Sequence, residues 1–198
     1  ALKSFTLIRD NRAPDVTSVP KVGGLYIVAY PPESDSSFVP VDAERVDRLN
    51  LPDGWTITID RFPPDMAQSL QFDMPKIRGE KWLSLLDYSV QQDGEQVTVT
   101  STWQVENLTP EIVNHTFAPF IHVYDANGER VQIVDGLPIA GTEFYDGDIH
   151  VHQMSFLLDG DLSDYRLELG QYDGLASLNL ILITADGEYV PTIPLVID

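Results

Sequence analysis

Eight Asp-Gly or Asn-Gly steps punctuate this 198-residue chain, at 53–54, 93–94, 127–128, 135–136, 146–147, 159–160, 173–174 and 186–187. Such dipeptides tolerate the positive φ that tight hairpin turns require. Several separate short runs in which apolar and polar residues alternate, the period of a strand with one buried and one wet face. The clearest run is Val97-Thr98-Val99-Thr100-Ser101-Thr102-Trp103-Gln104-Val105, rich in residues suited to a pleated surface. Trp55-Thr56-Ile57-Thr58-Ile59-Asp60 and Tyr165-Arg166-Leu167-Glu168-Leu169 repeat it. Short strands joined by regular turns predict a mostly-β chain built on an antiparallel, immunoglobulin-like β-sandwich. With 43% hydrophobic residues there is enough apolar side chain for a proper core.

The first 79 residues read as an irregular β-containing region and residues 80–198 as the sandwich, with about seven or eight strands. Leu25 to Tyr30 is a continuous apolar run, expected as a strand buried on both faces. Asp42 to Leu49 is the best helix candidate, with acidic residues at its start and Val46 and Leu49 spaced i,i+3. Frequent prolines break up the remainder, and Met74 to Gly79 reads as a linker. Within Ile149-His150-Val151-His152-Gln153-Met154-Ser155-Phe156 the apolar phase shifts from 149 and 151 to 154 and 156, which predicts a β-bulge near Gln153.

Charge divides the chain along the same line. Residues 1–80 hold nine basic and twelve acidic residues, whereas residues 81–198 hold three basic residues (Lys81, Arg130, Arg166) and nineteen acidic ones. The net charge of −19 opposes binding to nucleic acid or to an anionic membrane surface, because phosphates are repelled rather than neutralised. Eleven of the nineteen acidic residues lie within or beside an Asp-Gly or Asn-Gly step, so much of the acidity is turn chemistry. No apolar run approaches the roughly 20 residues that span a bilayer.

Candidate chemistry is sparse. Asp148, His150 and His152 alternate on one strand and would project from one face, where two imidazoles and a carboxylate suit zinc or a similar ion. The plain alternative for these residues is the solvent face of an outer strand. Asp146-Gly147-Asp148 and Asp159 to Asp164 cluster oxygens of the kind calcium takes, without the EF-hand spacing. His115 and His122 have no such spacing and read as surface or hydrogen-bonded core residues. Trp55 and Trp103 fall in phase with buried positions, while Trp82 stands at the entry to the sandwich. The chain has no cysteine, which excludes disulfides and thiolate sites. There is no Gly-rich phosphate loop, G-x-S-x-G elbow or H-E-x-x-H, so no catalytic residue or organic cofactor is assigned. Two Asn-x-Thr sequons, at Asn107 and Asn114, add nothing specific.

From Trp82 onward the order of features resembles a known domain. The pieces are Leu85-Leu86-Asp87-Tyr88, Thr102-Trp103-Gln104-Val105, His122 to Val131, Asp135-Gly136-Leu137-Pro138-Ile139-Ala140-Gly141-Thr142, Gly147-Asp148 before a strand, and Tyr165 to Asp173. They are similar to the C-terminal β-sandwich of bacterial polytopic membrane glycosyltransferases related to dolichyl-phosphate-mannose protein mannosyltransferases. The chain departs from that pattern at Phe144 to Asp148, where the family carries Trp and then Gly-Glu, and at Asp159 to Ser163, where it is proline-rich. The resemblance implies a non-catalytic, extracytoplasmic accessory domain of a membrane-anchored protein, contacting glycan, acceptor or a neighbouring protein, with the parent's chemistry elsewhere. It transfers no catalytic residue. The rival expectation is a free-standing carbohydrate-binding or adhesin-like module, with calcium as its candidate cofactor.

Overall fold

The computed structural model describes residues 4–7, 16–30, 32, 43–64, 66–72 and 74–197. The N-terminal region contributes β1 (Ser4–Leu7), β2 (Val16–Val19), β3 (Gly24–Tyr30), β4 (Glu44–Asn50), β5 (Thr56–Phe62), the one-turn helix α1 (Met66–Ser69) and β6 (Arg78–Gly79). A four-stranded sheet runs in the order β1-β3-β5-β4, parallel only between β1 and β3. Then follow β7 (Leu83–Asp93), β8 (Gln96–Val105), β9 (Thr116–Tyr124), β10 (Arg130–Asp135), β11 (Ile139–Ala140), β12 (Ile149–Leu157), β13 (Arg166–Asp173), β14 (Leu178–Asn179), β15 (Leu182–Ile183), β16 (Tyr189–Val190) and β17 (Thr192–Pro194).

Most of these strands, together with β2, form the predicted antiparallel sandwich, while β15 and β16 join β6 in a small third sheet. One sheet has the order β10-β9-β13-β14, with β11 and β17 paired to its central strands, and the other the order β2-β12-β8-β7. Their inner faces enclose one apolar cluster that includes Leu85, Val99, Trp103, Phe117, Ile121, Met154, Leu167 and Leu169. Trp103 is fully buried, as its phase predicts, and its indole Nε1 donates to Ser101 Oγ at 3.0 Å. Six of the eight turn glycines have positive φ: Gly54, Gly94, Gly128, Gly147, Gly160 and Gly187. Gly136 serves a close approach instead, since a Cβ there would stand 2.7 Å from the Pro119 ring.

The two regions are interleaved. Strand β2 pairs with β12 and so supplies the edge of a sandwich sheet. A second apolar cluster joins Val19, Phe62, Met66 and Ala67 to Leu86, Ile149 and Val151. The expected linker also takes part, because β6 pairs with β15 and Ile77 bridges Leu85.

Four local expectations are corrected. Glu44–Asn50 is an exposed strand rather than a helix; Asp42 lies outside the described residues. The Asp53-Gly54 turn folds β5 back and demands an antiparallel partner, and cross-strand pairs such as Arg61 with Glu44 at 3.1 Å outweigh an i,i+3 coincidence. Strand β12 carries no bulge near Gln153, since its register against β8 is unbroken from Ile149 to Leu157. The phase shift has another cause: where β2 pairs with it, β12 is buried on both faces. Ile149 and Val151 enter the second cluster, while Met154 and Phe156 enter the first. A register shift does occur in β7 between Leu85 and Asp87, where Leu85 enters the first cluster and Leu86 the second.

Strand β5 alternates in inverted phase. Thr58, Asp60 and Phe62 are buried whereas Trp55, Ile57 and Ile59 are only half-buried, with the Asp60 carboxylate taken by Arg45. Leu25 in β3 is 38% exposed, so that strand is not covered on both faces along its length. Among the described residues no helix is long and apolar enough to cross a membrane.

The second cluster predicts mechanical unity. Phe62→Ala removes a ring that is 2% exposed and should cost about 3–5 kcal/mol. Hydrogen exchange should then lose protection in β12 as well as in β3 and β5. Loss confined to β3 and β5 would show that the cluster does not couple the two regions.

Candidate functional site

The three residues singled out for a metal end up buried rather than on a solvent face. His150 and His152 are each 1% exposed and Asp148 is 3% exposed. Asp148 Oδ1 accepts from the Lys21 amide at 2.8 Å, fastening the turn after β2. His150 Nδ1 shares a 2.7 Å hydrogen bond with Ser18 Oγ, its direct neighbour on β2, and its ring lies 4.9 Å from Phe144. Nε2 of His150 and Nδ1 of His152 have no hydrogen-bond partner among the described residues. Burial pushes the His150 imidazolium down to about 4, and burial together with the neighbouring His150 pushes His152 down to about 3, so both rings are neutral.

Among the described residues no group of three or more His, Asp or Glu side chains is arranged to hold a metal ion. The acidic loops are engaged in turn-making. Asp161 caps the 3-10 turn Leu162–Asp164 by accepting from Ser163 N at 2.8 Å.

The structure instead draws attention to residues around Trp82. This tryptophan has φ of 50°, a conformation that bulky side chains avoid. The tight loop Gly79–Leu83 imposes it. Gly79 passes so close that a Cβ would stand 1.8 Å from the Leu83 carbonyl oxygen, and Leu83 N donates to Lys81 O at 2.6 Å. Glu106 N donates to Trp82 O at 2.7 Å and the indole Nε1 donates to Thr109 Oγ1 at 3.1 Å, so both ends of the residue are anchored. Local strain of this kind costs about 1–3 kcal/mol and persists only where the surroundings over-determine it.

The indole lines a cavity of about 190 Å³, together with His115, Asp173, Lys81, Asn179 and Ile181. The Lys81 ammonium lies 5.4 Å from the indole ring centroid, and the His115 ring packs 4.8 Å from it. His115 Nδ1 and Asp173 Oδ2 are hydrogen-bonded, while Asp173 Oδ1 accepts from the amides of Thr116 and Leu175, both at 3.1 Å. Burial alone would raise the Asp173 carboxyl, but the His115 bond and the amides of Thr116, Leu175 and Ala176 outweigh it and hold the group below its ordinary value. An ionised Asp173 accepts from the proton-bearing Nδ1 and orients the ring, so that Nε2 has no partner among the described residues. The cavity therefore offers an aromatic and aliphatic wall, one oriented imidazole and one cation.

Sequence reasoning placed His115 and Trp82 without function and did not single out Asp173 from the other carboxylates. Residues 115 and 173 are 58 apart and meet only because β9 and β13 pair along their lengths, with Phe117 opposite Asp173.

The buried histidines set a pH dependence. Their folded values lie below the unfolded value of about 6.5, so the unfolded chain binds more protons below that pH. Stability is complete above about pH 6.5 and falls as pH drops toward 4, by about 2 kcal/mol per histidine at pH 5. Urea denaturation at pH 7 and pH 5 should show that loss, and His152→Leu should shrink it; equal stabilities at the two pH values would refute neutral burial. No family model, no curated protein and no solved structure matches the chain.

Proposed function

We propose that this chain is a non-catalytic binding domain that receives one ring-sized group of a glycan in the Trp82 cavity. The observation that carries the reading is Trp82 itself, held at φ of 50° against the wall of a cavity beside His115 and Lys81. A cavity of about 190 Å³ is below the size of most drug-like ligand pockets and suits a single ring. The C–H faces of a sugar match Trp82 and Ile181, and its hydroxyls match His115 Nε2, the Lys81 ammonium and the Asn179 amide. Such a role accords with an extracytoplasmic accessory domain of a glycosyltransferase-like protein, which the resemblance from Trp82 onward implies.

The test is calorimetric titration with a panel of neutral mono- and trisaccharides, monitored in parallel by tryptophan fluorescence. At least one sugar should bind, and Ala176→Trp, which places a bulky ring on an exposed cavity-lining position, should weaken it at least tenfold without lowering stability. Absence of binding across the panel, or binding unchanged in Ala176→Trp, would refute this assignment of the cavity.

A further inference from the structure

The outer face of the β9 sheet carries a second arrangement. Along β9 the core-facing Phe117, Ile121 and Val123 alternate with Phe120, His122 and Tyr124, which therefore share the opposite face. Tyr124 stands directly opposite Arg130 on β10 and Arg166 on β13, so a guanidinium flanks it on each side. These are two of only three basic residues between positions 81 and 198. The Arg166 guanidinium stacks 4.1 Å from the Tyr124 ring centroid and is paired with Glu168 through Nη1. Arg130 Nη1 reaches His122 Nε2 at 3.4 Å and has no carboxylate partner among the described residues.

Beyond Tyr124 an aromatic row continues, with ring centroids 6.2 Å apart to His122, then 4.6 Å to Phe120 and 6.1 Å to Tyr172. Phe120 is buried and packs over Gly170, where a Cβ would stand 2.3 Å from its ring, so it forms the floor between the half-buried rings of His122 and Tyr172.

We propose that this face binds an acidic oligosaccharide, with Arg130 and Arg166 taking a uronate carboxylate beside Tyr124 and the half-buried rings of His122 and Tyr172 taking the sugar rings that follow. A guanidinium stacked on an aromatic ring directs its remaining N–H donors sideways, in the fork that matches a carboxylate. Strand β9 is paired on both sides by β10 and β13, so its backbone cannot accept an added peptide strand. Recognition must run through rings and guanidinium groups, which favours a sugar over an extended acidic peptide. The high negative charge elsewhere disfavours dense polyanions and leaves this bracket as the place where a sparse carboxylate is matched. The surface lies at the opposite end of β13 from the Trp82 cavity, since Arg166 and Asp173 are roughly 23 Å apart along the strand. The proposal extends the glycan-binding reading to acidic sugars on a separate surface.

Calorimetry with tri-uronates (galacturonate, glucuronate and mannuronate), their methyl esters, and hexaglutamate tests it. At least one free tri-uronate should bind the wild-type chain, its methyl ester and hexaglutamate at least tenfold more weakly. Arg130→Gln and Arg166→Gln, both at exposed positions, should each weaken binding at least tenfold while leaving the melting temperature unchanged. Ala176→Trp should bind the acid as the wild type does, which separates this face from the cavity. The His122 imidazole, now held below its ordinary pKa first by burial and then by Arg130, should rise in pKa when the carboxylate draws Arg130 away. No binding by any free acid, equal binding of acid and ester or of hexaglutamate, wild-type affinity in either Gln variant, or loss of binding in Ala176→Trp would each overturn the proposal.

Discussion

The burial of Ile149–His152 on both faces is the constraint on which the rest of the structure depends. Strand β12 would ordinarily present one wet face, but β2 closes its edge, and Phe62 at the end of β5 with Met66 and Ala67 of α1 covers its outer side. Ile149 and Val151 thereby gain apolar neighbours from residues more than eighty positions away, and removing that area from water is worth about 25 cal/mol per Å². The same closure traps His150 and His152 on the inner side, where a charged imidazole has no compensating partner and the neutral form prevails. Asp148, at the entry to the strand, secures the arrangement by accepting from the Lys21 amide. The N-terminal region is therefore a structural part of the sandwich.

The acidic composition divides into groups with different roles. Asp125, Asp161 and Asp186 sit in turns and accept hydrogen bonds from amides or hydroxyls nearby in the chain, which holds their carboxyls below the ordinary range. Asp173 begins in the same way, within an Asp-Gly step, yet its carboxylate also orients His115 across the sheet. The few cations after residue 80 are not scattered: Lys81 lies over Trp82, and Arg130 and Arg166 bracket Tyr124. In a region carrying nineteen acidic residues, those positions are where local positive charge is concentrated.

Much of the sandwich was legible in the chain itself. Alternation in Val97–Val105 and Tyr165–Leu169 predicted strands with Trp103, Leu167 and Leu169 inward, and Asp-Gly steps marked turns with positive φ. These features are local: side-chain period and turn stereochemistry act over a few residues. What failed did so for non-local reasons. The period of Trp55–Asp60 was readable but its phase was not, because which face of β5 is buried depends on what packs against it. Glu44–Asn50 lost its helical spacing to pairing with β5, and the shift in β12 reflected burial of its outer face beside β2, Phe62 and α1 rather than a bulge.

The sequence by itself determined the strand-and-turn grammar, the location of the acidity and the exclusion of thiol chemistry. Only the tertiary structure decided which residues meet. His115 and Asp173 are joined by the β9–β13 register, Arg130 and Arg166 by a shared cross-strand position, and Trp82 is strained by a loop whose glycine touches the backbone four residues on. Contacts of that kind depend on strand order and register, and neither is encoded in the period of any single segment.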